Sequence, residues 1–181
     1  MSSCKRRKKG RVKKCINQIL YECRIINTKA ALAGGVCILI LGMISFFVGG
    51  SPTYLLHMLK MPVTMPTRWF FKLGWSFWYF ILGAAFSVVC TCTERSKQLP
   101  KFQGNMLFVI MMMFNLIWYP LFFGAEAIFL ALVACIITIL LGFFVFSNYL
   151  KVNRLCSAAM LLHILWLIYM LCLNAIVLFI N

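Results

Sequence analysis

Asn115-Leu-Ile-Trp118-Tyr-Pro120-Leu-Phe122-Phe123-Gly124 sets polar, helix-breaking and aromatic residues in an apolar run where grease alone would cross a bilayer. Asn115, Trp118 and Phe122 stand at i, i+3 and i+7 and so share one helical face, while Pro120 removes a backbone donor and bends or ends the helix. An amide in hydrocarbon needs a partner, since leaving it unsatisfied costs roughly several kcal/mol. Taken alone, the stretch reads as helix-packing glue with an interfacial aromatic belt, or as a ligand site.

Two comparable faces elsewhere in the chain favour the site. Trp75, Tyr79 and Gly83 fall at i, i+4 and i+8, a second aromatic stripe with Trp78 alongside. His163, Trp166, Met170 and Asn174 fall at i, i+3, i+7 and i+11 and again combine Trp with an amide. His163 itself reads as a hydrogen-bonded packing residue ahead of an axial metal ligand.

The whole chain is built for lipid. Of 181 residues 64% are hydrophobic, and the mean hydropathy is +0.95, which leaves too few polar residues to cover a soluble globule. Glu22, Glu94 and Glu126 are the only acids, and His57 and His163 the only histidines. Paired carboxylates, a Ser/His/Asp triad and a His-rich metal cage are therefore nearly excluded. The nine cysteines are odd in number and scattered through apolar runs, so they read as small buried hydrophobes and not as a disulfide framework. Cys90-Thr-Cys92 is half of a metal site, with nothing near it in sequence to supply the other half.

Apolar runs place five spans at residues 30–49, 69–92, 106–123, 127–146 and 155–180, giving an all-α integral membrane bundle. Residues 1–29 form a basic tail ahead of this membrane domain, which covers residues 30–181. Residues 4–14 carry eight positive charges and no negative one. Beside a membrane domain such a run suits lipid headgroups and topology better than nucleic acid. Ile16, Ile19, Leu20, Cys23 and Ile26 follow helical spacing and predict a short interfacial helix. Residues 51–68 contain Pro52, Pro62 and Pro66 yet are apolar, so they form either a lid across the bundle mouth or an interfacial connector. A polar connection is expected over residues 93–105, and Gly124-Ala125-Glu126 allows only a tight turn between antiparallel neighbours.

These residues resemble the translocator protein, or tryptophan-rich sensory protein, family (TspO/MBR, formerly peripheral-type benzodiazepine receptors). Pro62, Pro66, Trp69, Trp75, Tyr79 and Gly83 are similar to its first-loop prolines followed by W-x5-W-x3-Y-x3-G. Asn115-x2-Trp118-x-Pro120-x-Phe122-Phe123-Gly124 resembles N-x-x-W-x-P-x-F-F-G, and Trp166-x7-Asn174 its fifth-helix W-x7-N. The resemblance implies a five-helix bundle, often a homodimer, whose pocket is covered by the first loop and binds porphyrins, sterols and flat drugs. No cofactor is required; a porphyrin or haem-like tetrapyrrole is the expected ligand.

Trp75, Tyr79, Asn115, Trp118, Phe122, Trp166 and Asn174 are then the candidate ligand-binding residues, with Pro62, Pro66 and Trp69 in the lid. The resemblance also implies the mitochondrial outer membrane in a eukaryote. Beside ligand binding it suggests tryptophan-dependent photo-oxidative breakdown of bound porphyrin, and a purely structural membrane role stands as a further alternative. The chain departs from the family pattern at Thr67, Glu126, Leu130 and Ala134, where Pro, Arg, Trp and Asp are common. After Asn174 the run Ala-Ile-Val-Leu-Phe-Ile-Asn181 lacks the family's C-terminal sterol-recognition pattern.

Five spans put the two termini on opposite faces of the membrane. Tags at both ends, probed for accessibility in sealed vesicles, should be protected from opposite sides; both tags on one side would contradict five spans.

Overall fold

The computed structural model describes residues 27–50, 60 and 67–181. The expected interfacial helix of the tail, Pro62, Pro66 and the side chain of Trp69 lie outside the described residues. Within them are five helices long and apolar enough to cross a membrane. They are α1 (Thr28–Val48), α2 (Arg68–Cys90), α3 (Gln98–Tyr119), α4 (Ile128–Val152) and α5 (Arg154–Ile180).

Side-chain caps start two of these helices. Asn27 Oδ1 accepts from the Ala30 N–H at 3.2 Å and opens α1. Asn153 works in both directions: its N–H donates to the Tyr149 carbonyl at 2.8 Å, closing α4. Its Oδ1 accepts from the N–H groups of Leu155 and Cys156, opening α5. One residue thus joins two antiparallel spans.

Contacts between helices give the topology. Gly34 meets Gly83 and Ser87 while Gly42 meets Tyr79, so α1 and α2 run antiparallel. Ser45 reaches Leu116 and Gly49 reaches Tyr119, so α1 and α3 run parallel. Cys135 lies against Leu167 and Gly142 against Ile164, which makes α4 and α5 antiparallel. Around the bundle the order is α1, α2, α5, α4, α3, with α3 returning to α1. The α1–α2 contact depends on glycine, since a Cβ on Gly83 would stand 2.3 Å from the Gly34 carbonyl oxygen. Side chains such as Leu73, Ile117, Leu165 and Phe179 point outward to lipid.

Two boundaries differ from the sequence expectation. The polar connection drawn over residues 93–105 is shorter, because a 3₁₀ turn at Arg95–Lys97 leads directly into α3 at Gln98. Pro100 is tolerated in that first turn, where backbone donors are unpaired anyway. The polar side chains fold back on the segment after α2: Lys101 Nζ donates to the Cys92 carbonyl at 2.9 Å and Gln98 Nε2 to the Glu94 carbonyl at 3.0 Å. The fourth helix continues past residue 146 to Val152. Ser147 and Asn148 do not break it, because each donates to a carbonyl of the preceding turn, Phe143 and Phe144.

Pro120 ends α3 in a π-helical turn, Pro120–Gly124, whose bonds run from the Ala125 N–H to the Pro120 carbonyl and from the Ala127 N–H to the Leu121 carbonyl. Proline has no N–H for the carbonyl four residues earlier, Leu116. The Ser45 hydroxyl, from α1, donates to that carbonyl instead. Ser45→Ala should therefore cost about 1–3 kcal/mol. In a Pro120→Ala background, where a backbone N–H returns, the same change should cost less; equal costs in thermal unfolding of both backgrounds would refute the pairing.

Candidate functional site

The candidate residues of three helices meet in one aromatic cluster, in the half of the bundle that holds the π turn. Trp75 is its hub. Its indole stacks on Trp118 at 5.4 Å between ring centroids, and Trp118 stacks in turn on Phe122 at 5.1 Å. Trp166 stands edge-on to Trp75 at 6.2 Å and Tyr79 lies 5.7 Å away on the next turn of α2. Trp75 is 2% exposed and Trp118 4%, while Trp166 is half-buried with its ring over Gly74. A Cβ on Gly74 would come within 2.8 Å of that ring, so glycine lets Trp166 lie against the α2 backbone.

The amides take different work. Asn115 Nδ2 lies 3.0 Å from His163 Nε2, joining α3 to α5. Assigning the Asn174 amide oxygen toward α3 satisfies both ends of the side chain: the oxygen accepts from Trp118 Nε1 at 3.2 Å and from the Leu132 N–H at 3.1 Å. Its nitrogen then donates to the Ile128 carbonyl at 3.2 Å. One side chain thereby ties α5 to the indole of α3 and to the first turn of α4. Both asparagines bridge helices, as polar groups in hydrocarbon must.

Four buried polar atoms find no partner among the described residues: Trp75 Nε1, Trp166 Nε1, Asn115 Oδ1 and His163 Nδ1. Three belong to Trp75 or to rings beside it, Trp166 and His163, and the fourth to Asn115, which meets His163; the His163 ring lies 6.5 Å from the Trp75 ring and 5.4 Å from Trp78. Buried polar atoms are ordinarily paired, so this group marks the place where a polar atom of a bound molecule gains most.

Sequence reading missed Phe46, Phe71, Tyr119 and Phe123. Phe71 packs on Trp75 and Trp118, and Phe123 stands perpendicular to Phe71 at 5.6 Å. Phe46 meets Tyr119 edge-on at 4.7 Å, and Tyr119 meets Phe123 at the same separation. Phe71 was within reach, since it precedes Trp75 by one turn on the same face. Phe46 carries no such signal in its own helix.

A family comparison agrees with this arrangement: the model of the TspO/MBR family matches residues 33–180. The chain belongs to the TspO/MBR family. Comparison with curated proteins finds no match. Membership makes this an integral multi-pass membrane protein and supports a ligand-binding or transport-type role. The chain's departures from the family pattern fall in different settings. Leu130 is 54% exposed on the outer face of α4, whereas Ala134 is buried and its carbonyl accepts from the Thr138 hydroxyl at 2.7 Å. Glu126 sits in the left-handed region at φ 56° in the turn after the TspO/MBR motif's last glycine.

Asn174→Leu should destabilise the fold by about 1–3 kcal/mol, because it leaves Trp118 Nε1 and the first turn of α4 without their partner. Ser147→Ala should change stability by less than about 0.5 kcal/mol, since that exposed hydroxyl serves only its own helix. Equal thermal shifts for the two variants in detergent would contradict the bridging role.

Proposed function

We propose that this TspO/MBR protein holds a flat hydrophobic molecule, a tetrapyrrole in preference to a sterol, against the indole surface of Trp75, Trp118 and Trp166. The observation that carries the proposal is the Trp75–Trp118–Phe122 stack with Trp166 edge-on to it, assembled from three helices. In this structure the rings pack on one another. A planar ligand replaces ring–ring stacking with ring–ligand stacking over a larger face, and apolar surroundings keep water out. A tetrapyrrole offers two broad π-faces to such rings. A sterol offers none, and the family's C-terminal sterol pattern is missing here.

The α1–α2 seam and the helix-bridging asparagines hold the three helices in register, so the indoles keep one level when a ligand replaces their mutual stacking. For a eukaryotic cell we place the protein in the mitochondrial outer membrane, on the family resemblance. Breakdown of the bound pigment is the second reading, since Trp75 and Trp166 meet at 6.2 Å and one ligand edge would touch both.

Titration of protoporphyrin into purified protein should quench indole fluorescence to saturation. Trp75→Ala or Trp166→Ala should weaken binding by about 1–3 kcal/mol, the scale of lost burial plus stacking. Unchanged affinity in folded Trp75→Ala, Trp118→Ala and Trp166→Ala proteins would leave the cluster a packing core only. Illumination of the complex in air separates holding from breakdown: a stable Soret band supports holding, and a tryptophan-dependent loss of it supports breakdown.

A further inference from the structure

His163 is fully buried at the seam of α2 and α5, with its ring perpendicular to Trp75 and tilted against Trp78. Its two nitrogens are not equivalent. Asn115 presents its amide Nδ2 to His163 Nε2 at 3.0 Å, and an amide nitrogen can only donate. With the amide nitrogen assigned toward the ring, Nε2 acts as the acceptor, and a neutral ring then carries its proton on Nδ1. Asn115 thus fixes the tautomer from a neighbouring helix.

The consequence lies at the other edge of the ring. Nδ1–H has no partner among the described residues, and an unpaired donor in hydrocarbon is costly. The bridge to Asn115 accounts for Nε2 alone and leaves the Nδ1–H donor without a use. Resting on the ligand reading above, we infer that His163 is a specificity-determining residue whose Nδ1–H receives a carbonyl or carboxyl oxygen at the edge of the bound planar ligand. The same tautomer turns the ring away from metal ligation, because its one free lone pair is engaged by Asn115. The site therefore selects flat ligands that carry an edge acceptor and does not coordinate a central metal.

The test uses full-length protein in detergent with protoporphyrin IX and etioporphyrin, planar rings of similar size with and without carboxyl groups. The wild type should prefer protoporphyrin IX by about threefold to tenfold, the range of one hydrogen bond. His163→Phe should bring that preference close to one, and His163→Gln, which restores a donor, should recover part of it. A preference that His163→Phe leaves intact overturns the inference. If the wild type binds neither porphyrin, the proposed function falls and this inference with it; if it binds both equally, only the inference falls.

A second measurement does not depend on the variants folding. Histidine 15N spectra of the wild type should show Nδ1 protonated and Nε2 bare, with the Nδ1 proton resonance moving on addition of protoporphyrin IX and not of etioporphyrin. The opposite tautomer overturns the inference. Iron protoporphyrin gives a final arm: its Soret band should lack a histidine-ligated signature, and such a signature lost in His163→Phe would equally refute it.

Discussion

A hydrocarbon solvent offers no hydrogen bonds, and the bundle is arranged around that constraint at Pro120. The missing proline N–H leaves the Leu116 carbonyl open, and the Ser45 hydroxyl of α1 closes it. This single bond sets α1 and α3 at one level. At that level Phe46 meets Tyr119, and Gly49 lies so close to the Tyr119 ring that a Cβ on Gly49 would stand 2.4 Å from it. Before Pro120 α3 sets Trp118 against Trp75; beyond it, the π turn brings Phe122 and Phe123 onto the same cluster. The proline costs a backbone bond, and the π turn that follows it sets Phe122 and Phe123 on the cluster.

Other buried polar groups obey the same rule in different ways. Asn174 divides its amide between the indole of Trp118 and the backbone of α4, and Asn105 accepts from the Tyr149 hydroxyl at 3.1 Å while donating toward Cys90. These links lie at opposite ends of the bundle and hold helices that pack mainly through small residues and rings. Between them lie the four buried side-chain atoms that find no partner among the described residues. The contrast concentrates binding potential in one place, where stacking surfaces and unused donors coincide.

Most of the fold was legible because lipid imposes simple rules. Five apolar runs gave five spans, and the i, i+3, i+4 spacings put Trp75 with Tyr79 and Asn115 with Trp118 and Phe122 on faces that are buried. Helix ends were harder. Residues 98–105 look like a loop by composition, yet they lie in α3, with Gln98 and Lys101 donating to carbonyls of the segment just after α2. The Asn115–His163 pair and the Ser45–Leu116 bond could not be read, since each joins helices whose relative height follows from packing and not from local pattern. Phe46 was missed for the same reason: its partner Tyr119 lies far along the chain, and no local pattern in its own helix singles it out.

The central claim is that the indoles of Trp75, Trp118 and Trp166 form the surface on which a flat ligand rests. The most direct test is photolabelling of the protein in bilayers with a diazirine-bearing porphyrin, followed by mass-spectrometric mapping of the adducts and competition by unlabelled protoporphyrin. The account predicts saturable labelling confined to the segments around residues 71–79, 115–123 and 163–174. Labelling that is unsaturable and falls on outward-facing side chains such as Phe47, Phe129 and Phe179 would contradict it.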